Sequence, residues 1–484
     1  MTLRISLALW LGLATPVFAQ PAPKQPAPKP SAPAAKLAPV AAAPAVDDLA
    51  EFDRELDKLF ASGGLTSEQA AARAATASLG VRRKIAEVEA AVAQAEAAEL
   101  AWVPQVGVKA SYTRLSKIDG TPITLGTPPN AVTIPPFPTL QNAYLAEGQV
   151  NLPLSDYVLR YPKLIDASRL AAEVARINRR SSELGAGQDA RLFYYEWVRA
   201  KLQVLVTQRQ LLQIQKTLGQ VRALTEVQRL SRADLLRVES QEADAEQLVD
   251  RAENLAQLRE EQLRLAIGAG TEPLVIGEDI RADLAGGATG QLDELMATAK
   301  QKRLEFKVID TGLRAKDAQR DAEVANLLPR LSAFGVADYA DPNQRVFPQA
   351  DKFSFTWQIG AQLTWTLNDA LVARATQRRI TAEANELRAD RANLELGTRI
   401  EVLSAQQQVT IAQHALVTTQ KGLTAALEGY RVRKELLNAD RATAVELVDA
   451  ETDLTRSRIA ALNARVDLRV ARSQLEHALG NDTK

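Results

Sequence analysis

No proline interrupts the chain between Lys163 and Glu272, and none occurs from Gln349 to Lys484, while Ala, Leu, Glu, Gln and Arg dominate both stretches. These residues favour the helix, and the residue that breaks it is missing. Both stretches therefore read as very long helices. Each contains one copy of the same phrase, S/T-x-x-D/E-Leu-x-x-x-Glu: "SRADLLRVE" at 231–239 and "TAVELVDAE" at 443–451, 212 residues apart. In each copy a hydroxyl residue and an acid three positions later cap each other's backbone N–H groups, so helices are expected to begin at Ser231 and Thr443. The helix before the first copy, from about Asp156 to Arg229, would be about 110 Å long at 1.5 Å per residue. No ordinary globular domain houses two such helices.

In the last helix Leu447, Ala450, Leu454, Ser457, Ala461, Ala464, Leu468, Ala471, Leu475 and Ala478 recur at alternating spacings of three and four. That is a coiled-coil seam of mostly small residues, which requires close helix approach. In the first copy Leu235, Val238, Ala245, Val249, Ala252 and Ala256 keep the register, and Glu242 interrupts it.

Upstream of each long stretch the pattern changes to period two. "QVGVKASYTR" (105–114), "AYLAEGQVNLPL" (143–154), "LSAFGVADYA" (331–340) and "FSFTWQIGAQLTWTL" (353–367) read as four strands in two hairpins. Each is long enough to cross a membrane as a tilted barrel strand. Pro104 matches Pro329 at a spacing of 225, and Gln149 matches Gln362 at 213. The difference places about twelve extra residues in the first hairpin loop, 115–142, and surface loops are what absorb insertions. The organisation is a first repeat over 47–267 with hairpin 105–154, a linker at 268–291, and a second repeat over 292–480 with hairpin 331–367. Opening helices start near Thr66, which forms a capping box with Gln69, and near Leu292.

The chain has 484 residues, 59 basic and 59 acidic side chains, two His and no Cys. Neutral balance argues against a nucleic-acid partner, and the lack of thiols removes disulfides, zinc-thiolate sites and cysteine nucleophiles. Arg4, the apolar run Ile5 to Ala14 and Val17-Phe18-Ala19 read as a signal peptide over 1–19 with Gln20 the first mature residue, and no Cys follows to carry a lipid anchor. Residues 20–46, rich in Pro, Ala and Lys, read as an extended tether. After it no run of about 18 apolar residues occurs, so no helix is expected to span a bilayer.

Over about residues 47–480 this arrangement resembles the TolC-type outer-membrane efflux and secretion family. The resemblance rests on "LTSEQAAARAA", "LAWVPQVGVKASY" and its second copy "NLLPRLSAFGVADY", the strand end "GQVNLPL", and the doubled capping phrase, in this order and spacing. It implies a mostly α chain with a small β component: a long α-helical coiled-coil barrel, and four strands contributed to a trimeric twelve-stranded outer-membrane β-barrel. It further implies a passive exit duct of a tripartite efflux or type I secretion system, with a periplasmic adaptor and an inner-membrane transporter as partners, and outer-membrane lipid around the barrel. Neither enzyme chemistry nor a cofactor is expected. The rival reading is a soluble periplasmic coiled-coil adaptor or scaffold, which would show one helical hairpin flanked by small β domains. Two departures stand out. The second turn, Arg431 to Ala442, reads as longer than the family's short turn, and Thr366 stands where the first half has Pro153.

By the resemblance the doubled phrase lies at the tunnel tip. Glu446 and Asp449, three apart, share a helix face and match the family's paired entrance acids. Three chains would bring six carboxylates around one axis. The alternative is a solvated helix start, where the dipole favours acids. Asp234 and Arg237 are the first-half equivalents, and an Arg237–Asp449 bridge is a candidate lock, with Arg441 and Lys434 as further cations. Leu230, Ser231, Asn438 and Thr443 mark the candidate adaptor-docking turns. His414 and His477 lack metal-ligand spacing and read as structural or surface residues.

Overall fold

The structure, a computed structural model, describes residues 46–118, 121–134, 140–282, 290–347, 349–439 and 441–483. The signal peptide and all but the last residue of the tether lie outside the described residues. The first half runs α1 (Val46–Leu59), β1 (Phe60–Leu65), α2 (Ser67–Ala77), α3 (Leu79–Glu99), β2 (Gln105–Arg114), β3 (Ile123–Leu125), β4 (Val132–Ile134), β5 (Asn142–Leu152), α4 (Leu154–Leu159), α5 (Tyr161–Glu226) and α6 (Arg232–Ala266). The second runs α7 (Leu292–Lys302), α8 (Leu304–Val324), β6 (Arg330–Asp341), β7 (Ser354–Thr364), α9 (Leu367–Asn438) and α10 (Ala444–Ala478).

With 66 and 72 residues, α5 and α9 are about 100 and 110 Å long. Both returning helices, α6 and α10, have 35 residues. Each is followed by a left-handed glycine, Gly268 (φ 63) and Gly480 (φ 70), which ends a helix without the Cβ clash another residue would meet. Each glycine also sits against the break in the opening helix of its half: a Cβ on Gly268 would lie 2.7 Å from Ala77 Cβ, and one on Gly480 3.0 Å from the Arg303 nitrogen. Those breaks, at Ser78 and Arg303, divide opening helices that the sequence pattern reads as continuous. One further break separates α4 from α5. Pro162 has no N–H to extend the ladder, and Arg160 departs to φ −107. Ala375, its counterpart, imposes nothing, and α9 runs unbroken.

The second tip turn differs from its expectation. Arg431 to Asn438 are helical, so the connection spans only residues 439–443. Nothing in "RVRKELLN" stops a helix, and Arg431 braces it with ion pairs to Glu428 (2.5 Å) and Glu435 (2.8 Å). The first long helix ends at Glu226, short of the expected Arg229. Thr225 O accepts from the Gln228 N–H and Leu224 O from the Arg229 N–H, with Gln228 left-handed at φ 58.

The four long strands form one antiparallel sheet in the order β2-β5-β6-β7. β2 and β7 are its two unpaired edges. β3 and β4 form a small ladder within the 115–142 loop. The largest core joins α1, α2, α5, α6, α10 and the 267–280 segment around Trp197, Tyr194, Phe52, Leu56, Ile276, Ile280 and Val466. β1 is tied to that segment by Leu65 N–H to Val275 O (2.7 Å) and Gly277 N–H to Leu65 O (2.9 Å). Among the described residues no helix is long and apolar enough to cross a membrane.

Candidate functional site: a two-faced sheet and a helical tip

Register places alternate side chains of the sheet on opposite faces. Pairing Tyr112 with Tyr144, Val106 with Val150, Gly335 with both Val150 and Ile359, and Tyr339 with Phe355 collects one apolar face. Val106, Val108, Tyr112, Tyr144, Val150, Leu331, Tyr339, Phe355, Trp357, Ile359 and Leu363 all lie on it. Val108 and Ile359 are 86% and 78% exposed. The opposite face carries Gln105, Lys109, Ser111, Thr113, Glu147, Gln149, Asn151, Ser332, Asp338, Thr356, Gln358, Gln362 and Thr364. Tyr112 and Tyr144 (ring centroids 5.0 Å apart), with Tyr339 and Phe353 (5.1 Å), cluster at the hairpin end. Trp102 and Tyr157 meet at the helix end (5.3 Å), and Trp365 is exposed there too. One apolar face, one polar face and an aromatic group at each end is the pattern of a strand set facing lipid on one side and water on the other.

At the other end lie the two helical turns. Both capping boxes form: Ser231 Oγ accepts from the Asp234 N–H (3.2 Å), and Thr443 Oγ1 from the Glu446 N–H (3.2 Å). In return the Asp234 and Glu446 carboxylates accept the Ser231 and Thr443 N–H groups. Glu446 also pairs with Arg433 at 3.5 Å. Within the chain, among the described residues, Arg237 and Asp449 form no ion pair; both are exposed. Lys434 lies over the Tyr430 ring at 5.9 Å. Ser231, Asn438, Arg441 and Thr443 are on the surface. Leu230 instead packs with Leu218, Val221, Val238, Ala444 and Val448, a cluster that joins the two tip hairpins.

The phrase's trailing glutamates were not singled out as site residues, and the structure gives both a role. Glu239 pairs with Arg222 of α5 (3.1 Å). Glu451, only 3% exposed, accepts from Thr217 Oγ1 of α5 (2.9 Å), and close by Gln213 of α5 bonds Tyr430 of α9. The Glu451 and Tyr430 contacts tie the second hairpin to the first, whereas the Glu239 pair closes the first hairpin on itself. The repeat itself was the available signal, since the phrase keeps its final Glu in both copies.

Fold and faces define a class: a chain whose few strands present lipid-type and water-type faces, joined to helices far longer than any bilayer is thick. Residues 295–481 match the family described as outer membrane efflux protein. The fold is similar to CusC (TM-score 0.71, 14% identity, 87% of this chain and 93% of that one). It is likewise similar to the Campylobacter jejuni outer-membrane channel CmeC (0.69, 13%, 90% and 88%), and to the Vibrio cholerae outer membrane protein VceC (0.65, 14%, 89% and 96%). No curated protein matches the sequence at a significant level. Residues 295–481, the second repeat, thus carry the outer membrane efflux protein signature, and the fold over both repeats is that of these solved outer-membrane channels.

Proposed function

We propose that the chain is the exit duct of a tripartite efflux or type I secretion system, a passive conduit from periplasm to exterior that docks on a periplasmic adaptor and an inner-membrane pump. The observation that carries this reading is the open four-stranded sheet with one apolar face. Its edges β2 and β7 leave backbone N–H and C=O groups that lipid cannot satisfy, so the barrel closes between chains, three of them by the resemblance. A soluble adaptor or scaffold would have no use for so broad an exposed apolar sheet face. At the far end the turns around Ser231, Asn438 and Thr443, with exposed Val227 and Leu236 beside them, are the surface for the adaptor.

The entrance is gated by the acids of the second tip. Glu446 and Asp449 from three chains form a negative ring, with Arg433 as the cation closest to Glu446. The test is conductance of the purified complex in planar bilayers. Replacing Glu446 and Asp449 together by Ala should lower cation preference and abolish block by multivalent cations added from the tip side. Unchanged preference and block would place the constriction elsewhere.

A further inference from the structure

Where α9 and α10 pass the 280–282 segment, they enclose a groove of about 830 Å³. Arg281, Lys421, Arg465, Arg469 and Arg472 line it, and among the described residues no Asp or Glu does. Three of these cations are already engaged, Arg472 among them. Arg469, 5% exposed, bonds Glu278 (3.2 Å) and the carbonyls of Asp279 and Ala282, and Arg281 pairs with Asp57 and Asp279 (2.6 and 2.8 Å). Arg465 and Lys421 make no hydrogen bond or ion pair among the described residues. They stand on different helices, and Leu416, Val417 and Leu468 line the groove with them. Like charges gathered at one groove repel each other and favour an anionic occupant.

We propose that this groove receives an acidic amphipathic helix of a partner protein. The α9 wall, from Gln413 through Leu416, Val417 and Gln420 to Thr424, repeats at helical spacing over about three turns, or about 16 Å. A groove wall of helical length, with apolar side chains at Leu416, Val417 and Leu468 and cations on both helices, matches an amphipathic helix that carries carboxylates beside its apolar residues. A small anion would need donors converging on one point, whereas Arg465 and Lys421 stand on two different helices. The chain's own 20–46 segment carries only lysine charges and would be repelled. The α1 acids Glu51 and Glu55 are held by Arg209 (2.8 and 3.1 Å), and Asp57 by Arg281.

The proposal rests on the duct reading only in supposing a protein partner in the same compartment. Its test uses the intact detergent-solubilised protein and a fluorescent synthetic helix of about sixteen residues, long enough to span the groove, with leucines on one stripe and glutamates beside them. A twin peptide carries Gln for every Glu. Anisotropy should show binding of the Glu peptide, weakened by salt, with the twin at least about tenfold weaker. The double variant Arg465→Glu/Lys421→Glu should lose about tenfold or more. Arg465→Lys should retain binding, and all variants should conduct like the parent. Equal binding of the twin, or full binding by the double variant, would overturn the proposal. So would association with phosphatidylglycerol vesicles in place of the peptide. A protein that conducts but ignores the peptide sinks the groove proposal and leaves the duct standing, whereas one that binds the peptide but never conducts does the reverse.

Discussion

Ile359 and Gln149 lie in adjacent cross-strand rows, since Gln149 pairs with Val336 and Val336 with Gln358, yet they occupy opposite faces. Ile359 is the sixth of the eleven residues of β7. Five residues at about 3.4 Å each, tilted by about 40°, put it about 13 Å from either strand end, which is the middle of an apolar band about 25 Å tall. Ile359→Arg should therefore cost about 2–4 kcal/mol per chain, or about 6–12 kcal/mol if three chains share a barrel. Gln149→Arg, at the same depth on the polar face, should cost less than about 1 kcal/mol. The assay is the yield of folded, heat-resistant complex refolded into lipid across a urea series, read by gel shift. The predicted order is parent and Gln149→Arg together, with Ile359→Arg far below. Equal tolerance of both arginines, or greater damage from Gln149→Arg, would refute the assignment of faces.

Other outcomes follow from the tip and the C-terminal end of α10. Thr217→Val removes a donor to the buried Glu451 carboxylate while keeping side-chain size, at about 1.5–3 kcal/mol; hydrogen exchange in α5 and α10 near the tip should accelerate and channel opening should rise, and unchanged exchange would remove this bond from the closure. Thr443→Ala should cost about 1 kcal/mol through loss of the cap, seen as faster exchange in the first turn of α10. Arg433→Ala, rather than Arg237→Ala, should alter closure at the acid ring, because the structure pairs Arg433 with Glu446; single-channel open probability decides between them. His477 Nδ1 lies 2.6 Å from Asp482, and the bond to that carboxylate raises the imidazole pKa from its ordinary value of 6.5. Its contribution is complete below the unfolded pKa and is lost as pH rises through the folded one. Exchange protection at residues 477–483 should therefore fall as the pH is raised above about 6.5, and His477→Gln should abolish that dependence.

Much of this architecture was legible because it is written in period and duplication. The strands begin and end within three residues of the alternating runs, since alternation is what a sheet with one lipid face and one water face requires. The seam positions Leu447, Leu454, Ala461, Ala464, Leu468, Ala471, Leu475 and Ala478 are buried as their spacing demands, and the three capping boxes at Thr66, Ser231 and Thr443 form. Breaks and turns were harder to read. Ser78 and Arg303 interrupt helices because Gly268 and Gly480 pack against them, a tertiary cause that no local pattern carries. The second tip turn looked long for lack of a glycine, yet that lack is what lets α9 continue to Asn438. The tip turns were legible as positions but their partners were not: Glu446 takes Arg433 from its own hairpin, and Glu451 reaches across to α5.

The central claim is that an open sheet of four strands closes only by joining copies of itself in the outer membrane. The most direct measurement is the mass of the native complex after detergent extraction of outer membranes. A monodisperse particle of three chains, released by detergent and not by salt, is predicted. A monodisperse monomer, or release into salt without detergent, would contradict the account.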